Sequence, residues 1–188
     1  MSDSNIHSSS IKKNNLFILT GKIHSGKTTF LQKMCNKLKE DGLKINGLLS
    51  PAYYEDENRR GYNGLNIKTN ELFPLTRTEG KSTWEKEGPY YFIPEGLKKA
   101  EEAILDFKDS DLTIIDEIGP LEMKKRGLWK DRSQLLHNNR HSIIVIRNTI
   151  LEDFLCEIEE NPMIFDMGKK NLFKRMRRNL INTINFIR

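Results

Sequence analysis

The segment Leu16-Phe-Ile-Leu-Thr-Gly21-Lys-Ile-His-Ser-Gly26-Lys27-Thr28 decides the fold of this chain. Its first four residues are apolar, as in a buried strand, and its last eight match Gly-x-x-x-x-Gly-Lys-Ser/Thr without departure. Apolar residues then recur at helical spacing from Phe30 to Leu38, and Gly42 ends that pattern. A phosphate-binding loop (P-loop) between a strand and a helix is therefore predicted.

Each residue type in Gly21–Thr28 suits the binding of a triphosphate. The two glycines allow backbone angles and close approaches that a Cβ would obstruct, so N–H groups can converge on phosphate oxygens. Lys27 can reach the β- and γ-phosphates, the Thr28 hydroxyl can coordinate Mg²⁺, and the helix N-terminus adds its positive dipole end. The predicted nucleotide-binding residues are Gly21, Lys22, Ile23, His24, Ser25, Gly26, Lys27, Thr28 and Thr29.

Strands and helices alternate along the rest of the chain. Strands are predicted at Lys44–Tyr54, which Pro51 ends, and at Asp111–Asp116, Ser142–Ile146 and Met163–Met167. Helices are predicted from Pro94, from Thr149, which forms a capping box with Glu152, and from Leu172 to Ile187. The looser segment Arg59–Leu75 indicates antiparallel ribbons. The pattern predicts an α/β fold, a mainly parallel twisted sheet with helices on both faces and an antiparallel ribbon extension.

Length and composition favour a single folded domain. The chain has 188 residues, of which 37% are hydrophobic and 30% charged, and no apolar run approaches the roughly 20 residues of a membrane span. Residues 1–14 are polar and lack the apolar segment of a secretory signal, so we expect a flexible tail there and one domain at 15–188. Neither Cys35 nor Cys156 belongs to a metal or disulfide motif, which fits a cytoplasmic protein. We expect a monomer.

A second motif follows the apolar strand that begins at Leu112, where Asp116 and Glu117 stand side by side. This is a Walker-B arrangement. At the carboxyl end of a parallel strand, Asp116 would hold Mg²⁺ directly or through water, and Glu117 would point toward an attacking water. The alternative is two solvated acids that close a strand, and the P-loop upstream argues against it. Thr28 and Asp116 are the predicted metal ligands, and Lys27 and Glu117 are predicted to be catalytic.

The run Asp116-Glu-Ile-Gly-Pro-Leu-Glu122-Met carries a specific family resemblance. Further stretches that share it are Phe17–Gly21 with the P-loop, Gly47–Pro51, Arg60–Tyr62, Leu75–Arg77 and Gly88–Pro94. From residue 15 onward the chain resembles the small nucleoside-triphosphatase family first described in thermophiles, whose human member is called cancer-related nucleoside-triphosphatase. The resemblance implies a Mg²⁺-dependent hydrolase with broad base tolerance and slow turnover, of the class of P-loop ATPases that place a catalytic Glu after the Walker-B Asp.

The resemblance also implies an arrangement of strands. In that class a further strand lies between the P-loop strand and the Walker-B strand, and a polar group at the end of a neighbouring strand often senses the γ-phosphate. Arg147, Asn148 and Thr149 are the candidates here. Arg147 is the predicted catalytic arginine because its strand end is expected near the nucleotide, with Arg60 and Arg77 as alternatives elsewhere in the chain.

The sequence departs from the family pattern at two places. The family usually has small or apolar residues where this chain has Lys22 and His24, and an Arg often follows the Asn that matches Asn171, whereas Leu172 follows it here. His24 is interpreted as a loop residue near phosphate rather than a general base, because P-loop chemistry rests on positioning and electrostatics.

Two other functions remain open beside hydrolysis of ATP, GTP and other nucleoside triphosphates. A kinase would use the same P-loop but needs an acceptor site, and Asp131-Arg132-Ser133, which resembles part of a nucleoside-monophosphate kinase, follows no predicted strand. A regulatory subunit would use hydrolysis to act on a protein or nucleic acid. Binding of nucleic acid is conceivable but not favoured, because a solvated helix face accounts for the basic residues near the C-terminus: Lys169, Lys170, Lys174, Arg175, Arg177 and Arg178.

Overall fold

The structure is a computed structural model that describes residues 15–124, 126–127 and 141–185. The predicted tail 1–14, the Asp131-Arg132-Ser133 segment and the predicted end of the last helix at Ile187 lie outside these residues. The elements in chain order are β1 Leu16–Gly21, α1 Lys27–Glu40, β2 Ile45–Leu49, β3 Ala52–Glu55, β4 Asn58–Asn66, β5 Leu72–Arg77, β6 Lys86–Glu87, β7 Tyr90–Phe92, α2 Pro94–Leu105, β8 Leu112–Ile118, α3 Pro120–Met123, β9 His141–Arg147, α4 Leu151–Glu157, β10 Met163–Asp166 and α5 Leu172–Asn185.

The strands of the described residues form one sheet with a parallel half and an antiparallel half. The parallel strands lie in the order β10-β1-β9-β8-β2, so β9 separates the P-loop strand β1 from β8. Beyond β2 the sheet continues through β4-β5-β7-β6, and β3 pairs with β4, all of them antiparallel. This confirms the predicted α/β fold, its ribbon extension and the strand between the two motifs.

Helices cover both faces of the parallel half, as predicted. Along β1 the side chains alternate, so that Phe17 and Leu19 belong to the core under α1 and α5, whereas Leu16 and Ile18 belong to the core under α2 and α4. Phe17, Ile18 and Leu19 are fully buried. A strand that is apolar on both faces is typical of the interior of a sheet. Because the loop follows β1 directly, it lies at the edge of the sheet formed by the carboxyl ends of the parallel strands.

Two local predictions need correction. The strand predicted at Lys44–Tyr54 is two strands, because β2 ends at Leu49 and β3 begins only after Pro51 and pairs with the ribbon. The capping box at Thr149 is wrong. Asn148–Ile150 form a 3-10 turn, so Thr149 lies inside the turn, whereas an N-cap residue must flank its helix in a non-helical conformation. Helix α4 begins after it without a side-chain cap.

None of the helices in the described part of the chain is both long enough and apolar enough to span a membrane.

Candidate active site

The P-loop connects β1 to α1 and leaves the first turn of that helix uncapped by any side chain. Gly26 is the N-cap residue with φ of 81°, a left-handed conformation that a side chain rarely adopts, and the first turn carries no acidic residue. The N–H groups of a helix N-terminus have no partner within the helix, and together with the helix dipole they attract an anion. Thr28 and Thr29 lie in this first turn, next to the N-cap residue.

Gly21 serves the loop in a different way from Gly26. A Cβ at Gly21 would lie 2.9 Å from both the Met167 Cβ and the Ser25 Oγ, so the site admits only glycine without a shift of its neighbours. The Ser25 Oγ is buried and has no hydrogen-bond partner in the described structure. A buried polar atom without a partner costs free energy, and an anion in the loop would supply one.

The outer part of the loop faces solvent. Lys22, Ile23 and His24 are exposed, and the Ile23 side chain is 53% accessible. His24 has a positive φ of 63° and lies with its Nδ1 3.0 Å from a guanidinium nitrogen of Arg59 on β4. Lys22 and His24, where the resemblance led us to expect small or apolar residues, are thus at the solvent side of the loop, where the ribbon reaches it.

Lys27 folds its side chain back over the loop. Its Nζ donates to the carbonyl oxygens of Lys22 at 3.0 Å and Gly21 at 3.3 Å, and lies 4.0 Å from the Glu117 Oε1. Only 7% of this side chain is exposed. The buried ammonium group is therefore placed between the loop and the acid at the end of β8.

Asp116 lies beneath the loop at the end of β8. Its carboxylate accepts hydrogen bonds from the Ser50 N–H at 3.1 Å and from the Thr28 hydroxyl, while the Ser50 hydroxyl donates to the Asp116 carbonyl oxygen. Burial raises the pKa of Asp116 to about 6, although these hydrogen bonds and the charge of Lys27 oppose the rise. The structure thus brings together the two predicted metal ligands, Thr28 and Asp116.

Glu117 and Arg147 form a close ion pair between neighbouring strands. The Arg147 Nε donates to the Glu117 Oε1 at 2.7 Å, and the register of β1 and β9 places Arg147 directly beside Gly21. Burial disfavours the charge of Arg147, but the hydrogen bond to Glu117 and its negative charge outweigh this effect and raise the pKa of Arg147. All three predicted catalytic residues, Lys27, Glu117 and Arg147, therefore meet at one edge of the sheet.

The other two arginines considered from the sequence stay away from this centre. Arg60 is exposed and lies 3.9 Å from Glu55 in the ribbon. Arg77 donates to the Tyr62 and Thr76 carbonyl oxygens and stacks on Tyr53, so it stabilises the ribbon itself.

Sequence reasoning missed Arg59, which the ribbon brings to the P-loop. Its guanidinium group donates to the hydroxyls of Tyr54 at 2.9 Å and Tyr62 at 3.3 Å while it contacts His24, and its Nε is buried without a partner in the described structure. No local pattern distinguishes Arg59 from Arg60. Only the pairing of β3 with β4 shows which of the two side chains faces the loop.

A cavity of about 250 Å³ opens beside Glu117, and the described residues that line it include none of the P-loop. The ends of β2, β8 and β9 form one wall, through Ser50, Glu117 and Arg147, and the ribbon forms the other, where the rings of Tyr90 and Phe92 line it. Tyr91 and Trp84, also aromatic in this region, do not line the cavity and pack against Lys86 and Lys81 instead.

The last helix combines an apolar stripe with basic residues. The buried residues of α5 are Leu172, Met176, Leu180 and Ile184. Arg177 forms a bidentate pair with Asp41 at 2.6 and 2.7 Å, which ties α5 to the end of α1. An apolar stripe with charged residues opposite it is the arrangement expected of a helix at the surface of a domain.

The side chains at the loop suit Mg²⁺. The Thr28 hydroxyl and the Asp116 carboxylate are already in contact, and both are oxygen ligands of the kind this ion prefers. Within the described ranges, no group of three or more His, Cys, Asp or Glu side chains is arranged to hold a metal ion. A Mg²⁺ site needs no such group, because the ion is usually held by one or two carboxylates together with substrate phosphates and water.

Solved structures share this fold. The human cancer-related nucleoside triphosphatase superimposes with a TM-score of 0.64 over 92% of this chain and 98% of its own, at 18% identity. THEP1 from Aquifex aeolicus superimposes with a TM-score of 0.57 over 92% of this chain and 96% of its own, at 21% identity. At these identities the likeness concerns the fold.

Sequence comparison extends the likeness to a family. Nucleoside-triphosphatase THEP1 of Saccharolobus solfataricus is 34% identical over 70% of this chain and 75% of the relative, and that of Methanocaldococcus jannaschii is 37% identical over 72% and 80%. The model of the family described as NTPase matches residues 16–184, which contain the P-loop, the acidic end of β8 and the arginine at the end of β9. The chain therefore belongs to the NTPase family.

Proposed function

We propose that this chain hydrolyses nucleoside triphosphates to diphosphates and phosphate, with Mg²⁺ as cofactor and with broad base tolerance. The observation that carries the proposal is the convergence of Lys27 and Arg147 on Glu117, whose Oε1 lies 4.0 Å from the Lys27 Nζ and 2.7 Å from the Arg147 Nε, at the loop end of β1. Phosphoryl transfer to water requires a cation that binds the phosphates, an acid that orients the water and an arginine that stabilises the developing negative charge.

The loop binds the triphosphate in this account. N–H groups of Gly21–Thr29 surround the β-phosphate, and Lys27 exchanges the carbonyl oxygens of Gly21 and Lys22 for β- and γ-phosphate oxygens. The exchange loses little hydrogen-bond energy, because charged phosphate oxygens replace neutral carbonyl oxygens as acceptors for the ammonium group. Mg²⁺ held by Thr28 and Asp116 would neutralise charge on the β- and γ-oxygens.

Glu117 orients the attacking water and accepts its proton. Its carboxylate lies at the carboxyl end of β8, the edge of the sheet at which the P-loop also lies, and this supports a role beside the γ-phosphate. Arg147 holds the carboxylate in place. As the bond to the leaving diphosphate breaks, the same guanidinium group stabilises the negative charge that develops on the γ-phosphate oxygens.

The lack of a guanine-reading motif leaves guanine specificity unsupported and is consistent with the broad base tolerance that the family resemblance implies. An Asn-Lys-x-Asp segment reads guanine in GTP switches, and the only Asn-Lys of this sequence, Asn36-Lys37, is not followed by that Asp and lies inside α1. We also propose a single domain at 15–188, acting as a monomer in the cytoplasm.

The test is an acceptor-free hydrolysis panel. Purified protein with Mg²⁺ is expected to release phosphate from ATP, GTP, CTP and UTP, and to stop doing so when the metal is chelated. Phosphate release that stays at background until a nucleoside or nucleotide acceptor is added would replace hydrolysis with a kinase activity.

A further inference from the structure

The cavity beside Glu117 is much larger than hydrolysis requires. A hydrolase needs one ordered water next to this acid, and roughly 10–15 Å³ of cavity holds a water molecule. The cavity here measures about 250 Å³ and extends from Glu117 and Arg147 to the antiparallel ribbon. That volume approaches the roughly 300 Å³ at which pockets for small-molecule ligands begin. The space suits a second, small substrate at the position of the nucleophile.

The far wall of the cavity offers aromatic rings. Tyr90 and Phe92 line it from β7 and Tyr62 from β4, and the Tyr62 and Tyr90 rings meet edge to face with centroids 5.3 Å apart. This edge-to-face contact is a favourable arrangement of two aromatic rings and stabilises the observed orientation of both. Rings held in this way provide stacking surfaces for a planar ligand, and such stacking tolerates any aromatic base.

The charges of the cavity disfavour an anionic ligand. Among the described residues that line it, the acids Glu87, Asp116, Glu117 and Glu122 outnumber the single cation, Arg147, although Lys124 and Lys27 approach two of these acids from outside the lining. The Glu122 carboxylate accepts the Gly119 N–H at 2.9 Å, so the acid is held at the wall. Carboxylates accept hydrogen bonds from hydroxyl groups but repel phosphate. The ligand chemistry that fits is uncharged, carries hydroxyl groups and contains a planar ring.

We propose that this cavity is the acceptor site for an uncharged nucleoside, so that the chain transfers the γ-phosphoryl group of ATP to a nucleoside hydroxyl as well as to water. The inference rests on the nucleotide-binding role proposed above for the P-loop. The acceptor hydroxyl oxygen forms a bond to the γ-phosphorus, the bond from that phosphorus to the β–γ bridging oxygen breaks, and the hydroxyl proton passes to Glu117. The products are ADP and a nucleoside monophosphate.

Strand β7 supplies a matched pair of variants. Side chains alternate along a strand, and in Tyr90–Phe92 the first and last residues line the cavity while Tyr91 points away from it and packs on Lys86. Tyr90→Ala therefore removes a ring from the cavity, and Tyr91→Ala removes the same ring from the opposite face of the same strand. Tyr90→Phe keeps the ring and tests whether the hydroxyl matters.

The experiment measures transfer and binding separately. Wild-type protein receives ATP labelled in the γ-phosphate, Mg²⁺ and each of adenosine, guanosine, cytidine and uridine, and the label is divided by chromatography into free phosphate and nucleoside monophosphate. Nucleoside binding is measured by calorimetry in the absence of ATP, and the four nucleoside monophosphates are titrated in the same way. We expect labelled monophosphate from at least one nucleoside, saturable binding of that nucleoside, and at least tenfold weaker binding of its monophosphate.

The variants locate the acceptor. In Tyr90→Ala the ratio of transferred to released label is expected to fall at least about fivefold, the size of effect that loss of one stacking contact produces, while Tyr90→Phe and Tyr91→Ala keep the wild-type ratio. Normal phosphate release with no monophosphate formed and no nucleoside bound would overturn the acceptor site and leave the hydrolase standing. Loss of both transfer and release in the wild-type protein would overturn the two proposals together. If Tyr90→Ala does not fold, the wild-type transfer and binding measurements decide alone.

Discussion

The Arg147 Nε lies 2.7 Å from the Glu117 Oε1, and this pair links the ends of the two strands that flank the centre of the site. The same carboxylate oxygen lies 4.0 Å from the Lys27 Nζ. Two cations thus face the acid that the account assigns to the attacking water. Their positions are set by β9 beside β1 and by the first turn of α1. A site whose charged groups are fixed by the fold spends less binding energy on its own ordering.

Arg147→Ala is expected to lower kcat at least about a hundredfold, toward the roughly 10³–10⁵ range of arginines that stabilise phosphoryl transfer, with a smaller change in KM. The substitution removes both the group that holds Glu117 and the charge for the γ-phosphate. Steady-state phosphate release measures the effect. Arg60→Ala is the matched control, because Arg60 is exposed in the ribbon and should leave kcat within about twofold. Equal losses in the two variants would remove Arg147 from its role.

Lys27→Ala is expected to weaken nucleotide binding at least about tenfold, because the variant lacks the buried ammonium group that the loop holds for the phosphates. Lys33→Ala is the control, since Lys33 is an exposed residue of the same helix and should bind nucleotide as the wild type does. Calorimetric titration with ATP and Mg²⁺ measures both affinities. Unchanged affinity in Lys27→Ala would contradict the phosphate-binding role of this lysine.

Asp116→Asn is expected to stabilise the metal-free, nucleotide-free protein near neutral pH. The pKa of Asp116 is raised from about 4 in an unfolded chain to about 6 in the fold, so the native state binds its proton more tightly than the unfolded state. The wild type therefore loses stability as the pH rises from about 4 to 6, by at most about 3 kcal/mol, and this loss persists above pH 6. The Asn variant has no charge to bury, so its free energy of unfolding does not fall in this way as the pH rises.

Urea unfolding at pH 4 and at pH 7.5, with a chelator present, checks this prediction. The variant should have the higher free energy of unfolding at pH 7.5, and the difference should shrink toward pH 4. Added Mg²⁺ and nucleotide should raise the stability of the wild type far more than that of the variant. A variant that is less stable than the wild type at pH 7.5 would show that the buried charge of Asp116 is not costly to the fold.

Local sequence patterns were sufficient for the parts of the site that lie in continuous segments. Gly26 and Lys27 identify the loop because the P-loop motif requires these residue types at these positions. Asp116 and Glu117 could be recognised because they follow a continuous apolar run that predicts a strand. The position of Arg147 depended on the order of the strands, which the family resemblance implied and the register of β9 beside β1 confirmed. Its contact with Glu117 required the structure.

Other features could not be predicted because they depend on pairings between distant segments. Arg59 reaches His24 only because β4 folds back beside β3. The cavity forms between the ends of β2, β8 and β9 and a ribbon whose strands show no strong periodicity. At Thr149 a local signature was misleading, because the chain turns as a 3-10 helix before α4 begins and the expected cap position falls inside that turn.

The most direct test of the hydrolytic site compares Glu117→Gln with the wild type at saturating ATP and Mg²⁺, with phosphate release as the readout and ATP affinity measured on the same preparations. Glutamine keeps the shape of the side chain but cannot accept the proton of the attacking water. The account predicts that ATP affinity stays within about threefold while phosphate release falls at least about a hundredfold. Equal phosphate release by variant and wild type would contradict the assignment of Glu117, and with it the proposed mechanism.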